Sequence, residues 1–490
     1  MKLSTFLLLL CAIFILQDRA FGGEYTSEEC SAIVKRWEGH AISQLSELSE
    51  DRHTELKELL YFLHVPRTGG RTFHQCLLRN LYPREQLCNH SYDKLRFNAK
   101  SHCRLLVSHD DYSILSTLPV RSISIVTNLR HPVDRVFSAY EFTVEVAARF
   151  LRPALRSKVD ALKASKMASS TLMIWPWSIF VPWMRDDLYE RGKHRISSAQ
   201  EKTSPEGFSN YNASAFVMPF HEFIHQHLVT DNIHNGEAFQ IAGLTSNSYT
   251  KGAEKIRRCI VHHPHLGAHV LNVAKMRLDK MIFVGLTEKH EDSAKAFAHI
   301  VAKQIHAQEE PIISTTQRSP SAVSELRNSA SDNATGFAKQ ALTVDGLIRA
   351  YEKCSGRLRS IQAEHRIVSL KHSLPISFSK EARLGVPEQI LEEIKKLSAL
   401  DLDLFEYVQH RFKQQSSVYN SSQNNISQQH ATRNLTTEIN IIKGQNMINE
   451  GLQRGFGYTK LVLISVLYLM AIGVVVSIGK FVLSARRPAR

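Results

Sequence analysis

Residues 61–83 read YFLHVPRTGGRTFHQCLLRNLYP: an apolar run, a break at Pro66, a polar turn, and then apolar residues spaced three and four apart. The turn consists of Arg67, Thr68, Gly69, Gly70, Arg71 and Thr72. A strand, a glycine turn and a helix start bring backbone N–H groups and the positive end of a helix to one point, here with two arginines beside it. Such a loop cradles a phosphate or a sulfate. It is not the Walker loop, whose Gly-Lys-Ser/Thr ending supplies a hydroxyl for Mg²⁺, so a nucleotide kinase is disfavoured. SISIVTNLRHPVDRVFSAY (122–140) repeats the form, with Arg130 past a strand tip, Pro132 at the favoured first helical position and Ser138 on the helix. A guanidinium and a hydroxyl beside a helix N-terminus make a second anion site. Arg135 shares the face of Ser138, and the competing reading pairs Arg130 and Arg135 with Asp134 or Glu141. Two anion sites after two strands of one sheet suit a ligand with phosphates at both ends.

A third apolar run ends in RLLVSHDDYSIL (104–115), where His109, Asp110 and Asp111 stand together as candidate bases. Two other groups of residues stand out. His262, His263, His265 and His269 in CIVHHPHLGAH fit no standard four-ligand zinc spacing, Pro264 interrupts them, and Cys259 is wanted for a disulfide. No metal is expected. Trp175, Trp177 and Trp183 in WPWSIFVPW suit either an aromatic wall for a peptide or core packing.

The elements that position these residues follow from periodicity. Apolar runs at 61–65, 104–108, 122–127 and 281–286 alternate with helical patterns, the signature of an α/β fold with a mainly parallel sheet flanked by helices. The first three are expected to be neighbouring parallel strands whose carboxyl ends face one cleft, where open α/β sheets bind ligands. Helices are expected over TFHQCLLRNL, VDRVFSAYEFTVEVAARFL, GAHVLNVAKMRL and EQILEEIKKLSALDLDLFEYVQHRF.

Residues 1–22, with Lys2 before LSTFLLLLCAIFIL and small residues at Ala20 and Gly22, read as a signal peptide. A segment 23–57 precedes the main domain, 58–412, in which 306–345 reads as a loop insertion; 413–459 reads as a glycosylated stalk. The run 461–479 is 19 residues without a charge, so 460–480 is expected to cross a bilayer. The tail 481–490 is basic and expected to be cytosolic, giving a type I, single-pass arrangement with the folded part lumenal. Six cysteines remain beyond the signal, namely Cys30, Cys76, Cys88, Cys103, Cys259 and Cys354, an even set for an oxidising compartment whose pairing sequence leaves open. Glycosylation sequons lie at Asn89, Asn212, Asn333, Asn420, Asn425 and Asn434. The net charge of +14 suits acidic partners, and the lack of a long Lys/Arg tract or a nucleic-acid motif argues against nucleic acid.

VPRTGGRTF resembles the 5′-phosphosulfate loop of Golgi sulfotransferases, and LRHPVDRVFSAY resembles their 3′-phosphate motif. VGLTE (284–288) and LDLDLFEYVQHRF (400–412) are similar to segments of heparan sulfate 6-O-sulfotransferases. FLHVPRTGGRTF, HDDYSILSTLP, FTVEVAARFL and IWPWSIFVPWMRDDL, with the type I layout, resemble the plant-type tyrosylprotein sulfotransferases. The resemblance implies a sulfotransferase fold and transfer of sulfuryl from 3′-phosphoadenylyl sulfate to tyrosine in acidic secreted precursors, in the Golgi. It further implies donor binding by Arg67, Thr68, Gly69, Gly70, Arg71, Thr72, Arg130 and Ser138. His109 would be the base, with Asp111 orienting its ring or itself the base. Many sulfotransferases carry Lys where this chain has Arg67, which stabilises a leaving phosphate by charge rather than by donating a proton. The competing functions are a glycan O-sulfotransferase of the heparan 6-O type and a non-catalytic type I cell-surface binding protein.

Overall fold

The computed structural model describes residues 25–46, 56–88, 103–118, 122–151, 171–197, 211, 213–309, 343–371, 376, 378–414 and 460–474. The chain divides into two units, Met1–Gln414 and Gln415–Arg490. The asparagines of all six sequons, the signal segment, residues 310–342 of the expected insertion and nearly all of the expected stalk lie outside the described residues.

The first unit is mainly helical around a small sheet. Among the described residues four strands, β1 (Leu59–Leu63), β2 (Leu105–Ser108), β3 (Ile123–Leu129) and β4 (Phe283–Leu286), form a parallel sheet in the order β2-β1-β3-β4. The four expected runs are therefore strands, with β1 set two residues earlier than the sequence suggested. Every residue of β1, β2 and β4 is buried, so these strands read as continuous apolar runs without alternation. Register pairs Leu63 with Ser108 and with Thr127, so the turns after β1, β2 and β3 emerge side by side.

Helix α1 is Ser27–Ser46, α2 is Gly70–Cys76 and α3 is Pro132–Leu151. Later in the chain come α4 (Gly236–Ile241), α5 (Ala253–His262), α6 (Gly267–Asp279), α7 (His290–Glu309) and α8 (Val344–Lys371). The segment expected as one helix over 388–412 is two, Glu388–Leu397 and 399–414, broken at Ser398. One core surrounds the sheet; a second, aromatic-rich one gathers Tyr211, Phe220 and Phe223 against Phe137 and Tyr140 of α3. The six cysteines pair as Cys30–Cys259, Cys76–Cys354 and Cys88–Cys103.

In the second unit, residues 460–474 are helical with exposed side chains. Among the described residues no helix is long and apolar enough to cross a membrane, and 475–479, the end of the apolar run, lies outside them.

Candidate functional site

The loop after β1 owes its shape to two different uses of glycine. Gly69 caps α2 in the left-handed region at φ 73°, where a side chain is disfavoured. Gly70 is needed for space, since a Cβ there would lie 2.0 Å from Cδ2 of His64. Thr68, which is buried, closes the loop by donating its hydroxyl to Val65 O at 2.9 Å. Arg67 sits at φ 70°, a left-handed conformation uncommon for a residue with a Cβ and found where the surroundings impose it. The loop is held from outside by β4 and α7. Thr287 donates to Thr68 O at 2.7 Å and Leu129 O at 3.1 Å, and Nε2 of His290 lies 3.2 Å from Gly69 O. Arg71 is exposed, and the backbone N–H of Thr72 donates to Gly69 O at 3.0 Å.

The two arginine-bearing turns meet. Arg130 Nη1 donates to Arg67 O at 3.2 Å, and Arg67 Nε donates to Ser138 Oγ at 3.0 Å. Arg130 is half-buried, and burial pulls its pKa below the ordinary guanidinium value, against the nearby charges of Asp134, Glu288 and Glu141. No ion pair among the described residues includes Arg130. The carboxylates expected for it are engaged elsewhere, because Arg383 holds Glu141 at 2.6 Å and Asp134 at 3.4 Å. A cation drawn out of water without a carboxylate in contact is a seat for an anion.

Arg135 has the structural role instead, with other partners than Asp134 or Glu141. Fully buried, it donates to Asp401 Oδ2 at 3.0 Å and Asn232 O at 2.7 Å, with Glu237 at 3.8 Å. Asp401 in turn accepts the N–H groups of Ala238 and Glu237 at the start of α4. Glu237 accepts the backbone N–H of Arg130 at 3.0 Å, and Glu288 accepts that of His131 at 2.8 Å. The Arg130 turn is thus built on a buried charge network of which the local sequence bears no direct sign.

His109 leaves β2 and turns toward β1. Its Nδ1 lies 2.7 Å from His64 O, and its ring stacks on that of His64 at 4.4 Å. Burial, opposed by this hydrogen bond and aided by the charge of Arg67, lowers its pKa to about 4. The imidazole is therefore unprotonated near neutral pH, able to accept a proton. Asp111 does not orient it, contrary to one expectation. Its carboxylate caps the turn at Ser113 and accepts both the N–H and the hydroxyl of Thr245 at 2.9 Å. Asp110 accepts from Ser108 at 2.5 Å and Asn247 at 2.6 Å. Both carboxylates hold up the turn.

The aromatic and histidine groups resolve differently. Trp177 is buried in the second core, yet its ring meets Phe142 at 4.6 Å, and the Arg67 guanidinium lies 4.3 Å over Phe142. Trp183 is half-buried against Phe223. His269 lies 2.6 Å from Glu38 and His263 3.4 Å from Tyr25 O, so these histidines face different partners.

No family model matches the chain. It is 40% identical over 444 residues, 85% of this chain and 86% of the other, to the protein-tyrosine sulfotransferase of Arabidopsis thaliana.

Proposed function

Because the chain belongs to the plant-type protein-tyrosine sulfotransferases, we propose that the cleft beyond β1, β2 and β3 takes sulfuryl from 3′-phosphoadenylyl sulfate to a tyrosine phenol of secreted peptides or proteins. The observation that carries the site is Arg130, a half-buried cation whose guanidinium, among the described residues, hydrogen-bonds the Arg67 carbonyl and no carboxylate, and which lies beside Arg67 and Ser138. Arg130 and Ser138 hold the 3′-phosphate. Arg67, Arg71, the N–H groups of residues 68–71 and the Thr72 hydroxyl hold the 5′-phosphosulfate, as the strand–turn–helix form supports.

The chemistry is an in-line displacement. The phenol oxygen bonds to sulfur while the bond from sulfur to the bridging phosphate oxygen breaks, and the phenolic proton passes to Nε2 of His109. A phenol of pKa about 10 is a poor nucleophile at neutral pH, so a neutral imidazole in reach lowers the barrier. The charge left on the 5′-phosphate is stabilised by Arg67 and needs no acid. No step calls for a metal.

The same reading sets the enzyme in the Golgi lumen, anchored by the C-terminal apolar run and glycosylated. Three disulfides in one unit support an oxidising compartment. The net charge of +14 supports acidic acceptors. Incubating the purified protein with donor and an acidic tyrosine peptide, with a heparan-type glycan alongside, tests it. Mass spectrometry should find sulfate on the tyrosine; sulfation of the glycan alone would overturn the reading.

A further inference from the structure

Gln240, in α4, is fully buried beneath the turn that carries His109. Its Nε2 lies 2.8 Å from His109 O, 3.3 Å from Asp110 O and 3.4 Å from His64 O. The orientation of the amide is fixed by chemistry, since the opposite flip would aim its oxygen at three carbonyl oxygens. That leaves Oε1 buried without a hydrogen-bond partner among the described residues. A buried amide oxygen without a partner costs stability, so the three-way tie made by its nitrogen must matter to something else.

What it ties is the support of the imidazole. His64 O receives both Gln240 Nε2 and His109 Nδ1. A carbonyl only accepts, so Nδ1 carries the proton and, in the neutral ring, Nε2 keeps the lone pair. The ring is held from its face as well, by His64, which stacks in turn on Phe62 at 5.2 Å. We propose that Gln240 is a positioning residue for His109: by holding the His64 and His109 carbonyls together it fixes the tautomer and the aim of the imidazole. This rests on the reading of His109 as the base.

The test exploits acceptor acidity. Gln240→Met keeps the length and loses the amide. It should lower kcat for an ordinary tyrosine peptide by about tenfold to a hundredfold, the scale of a small misplacement of a reacting group, with donor Kd within about twofold of wild type. With a polyfluorinated tyrosine, whose phenol is already ionised at the assay pH, no base is needed. The Gln240→Met defect should then shrink alongside that of His109→Ala, and the double variant should be no worse than His109→Ala. If Gln240→Met fails to bind donor, Gln240→Asn, which shortens the tie but keeps the amide, carries the same comparison. A wild-type kcat in the Gln240 variant, or an equal defect on both acceptors, would overturn the inference while leaving the base reading intact. Wild-type turnover by His109→Ala would overturn the base reading itself.

Discussion

Arg130 should reveal itself in donor titrations. A charge-assisted hydrogen bond contributes about 1.5–3 kcal/mol, so Arg130→Ala should raise the donor Kd by roughly tenfold or more while leaving the acceptor KM near wild type. An unchanged donor titration in the folded variant would remove the 3′-phosphate assignment. For His109 the expected loss is in turnover, about 10²- to 10⁴-fold in His109→Ala with donor affinity kept. Its pH dependence differs from that of an ordinary histidine. Burial lowers the pKa to about 4, and the working form is the unprotonated one. Activity governed by it is full above that value and falls as pH drops through it, so kcat/KM in the wild type should stay flat through the range of about 6–7 where an unshifted histidine would titrate. A limb at that higher pH would mean the imidazole is more solvated than its packing against His64 implies.

At the scale of elements, the Arg130 turn depends on a helix from the far end of the domain. Removing one partner of a buried pair leaves an unpaired charge in the core, so Asp401→Ala should cost about 3–5 kcal/mol and show as a marked fall in Tm. A variant that melted like wild type would show that Arg135 is compensated otherwise. Gly70→Ala should also fail to pack, because the added methyl meets the His64 ring at 2.0 Å; overpacking of this kind costs about 1–3 kcal/mol. Donor binding and thermal melting should weaken together. These elements were legible in the sequence to unequal degrees. The strands were, because parallel strands buried on both faces are unbroken apolar runs, and so were both arginine turns, which adjoin those strands. The partner of Arg135 was not, since Asp401 lies 266 residues away and nothing local marks one acid in LDLDLF as buried. Gln240 escaped for the same reason: its carbonyl partners lie 130 to 176 residues off. The single long helix expected over 388–412 passed over Ser398, a buried residue whose hydroxyl donates to Ile233 O where the first helix ends.

For the molecule as a whole, the division after Gln414 separates the part that carries every residue proposed to bind donor or act on the acceptor from the rest. A secreted fragment ending at Gln414 should therefore keep kcat and donor Kd within about twofold of the full chain, as the catalytic groups are held by elements inside the unit. Loss of activity in a folded fragment would mean the C-terminal unit contributes to the site. Within the unit, Cys30–Cys259 closes a loop of 229 residues, and its removal by paired serines should cost about 2–5 kcal/mol, measured by denaturant unfolding. Cys76–Cys354 has a separate consequence. It joins the end of α2, directly behind the anion loop, to α8, and it is the one bridge among the three whose two cysteines lie on either side of residues 310–342. A chain cut once between those positions, at an inserted protease site, therefore remains one covalent molecule. It should run as a single band on a non-reducing gel and as two after reduction. The piece released would carry Asp401, so reducing agent, harmless to a chemistry that uses no thiol, would let the support of the Arg130 turn dissociate.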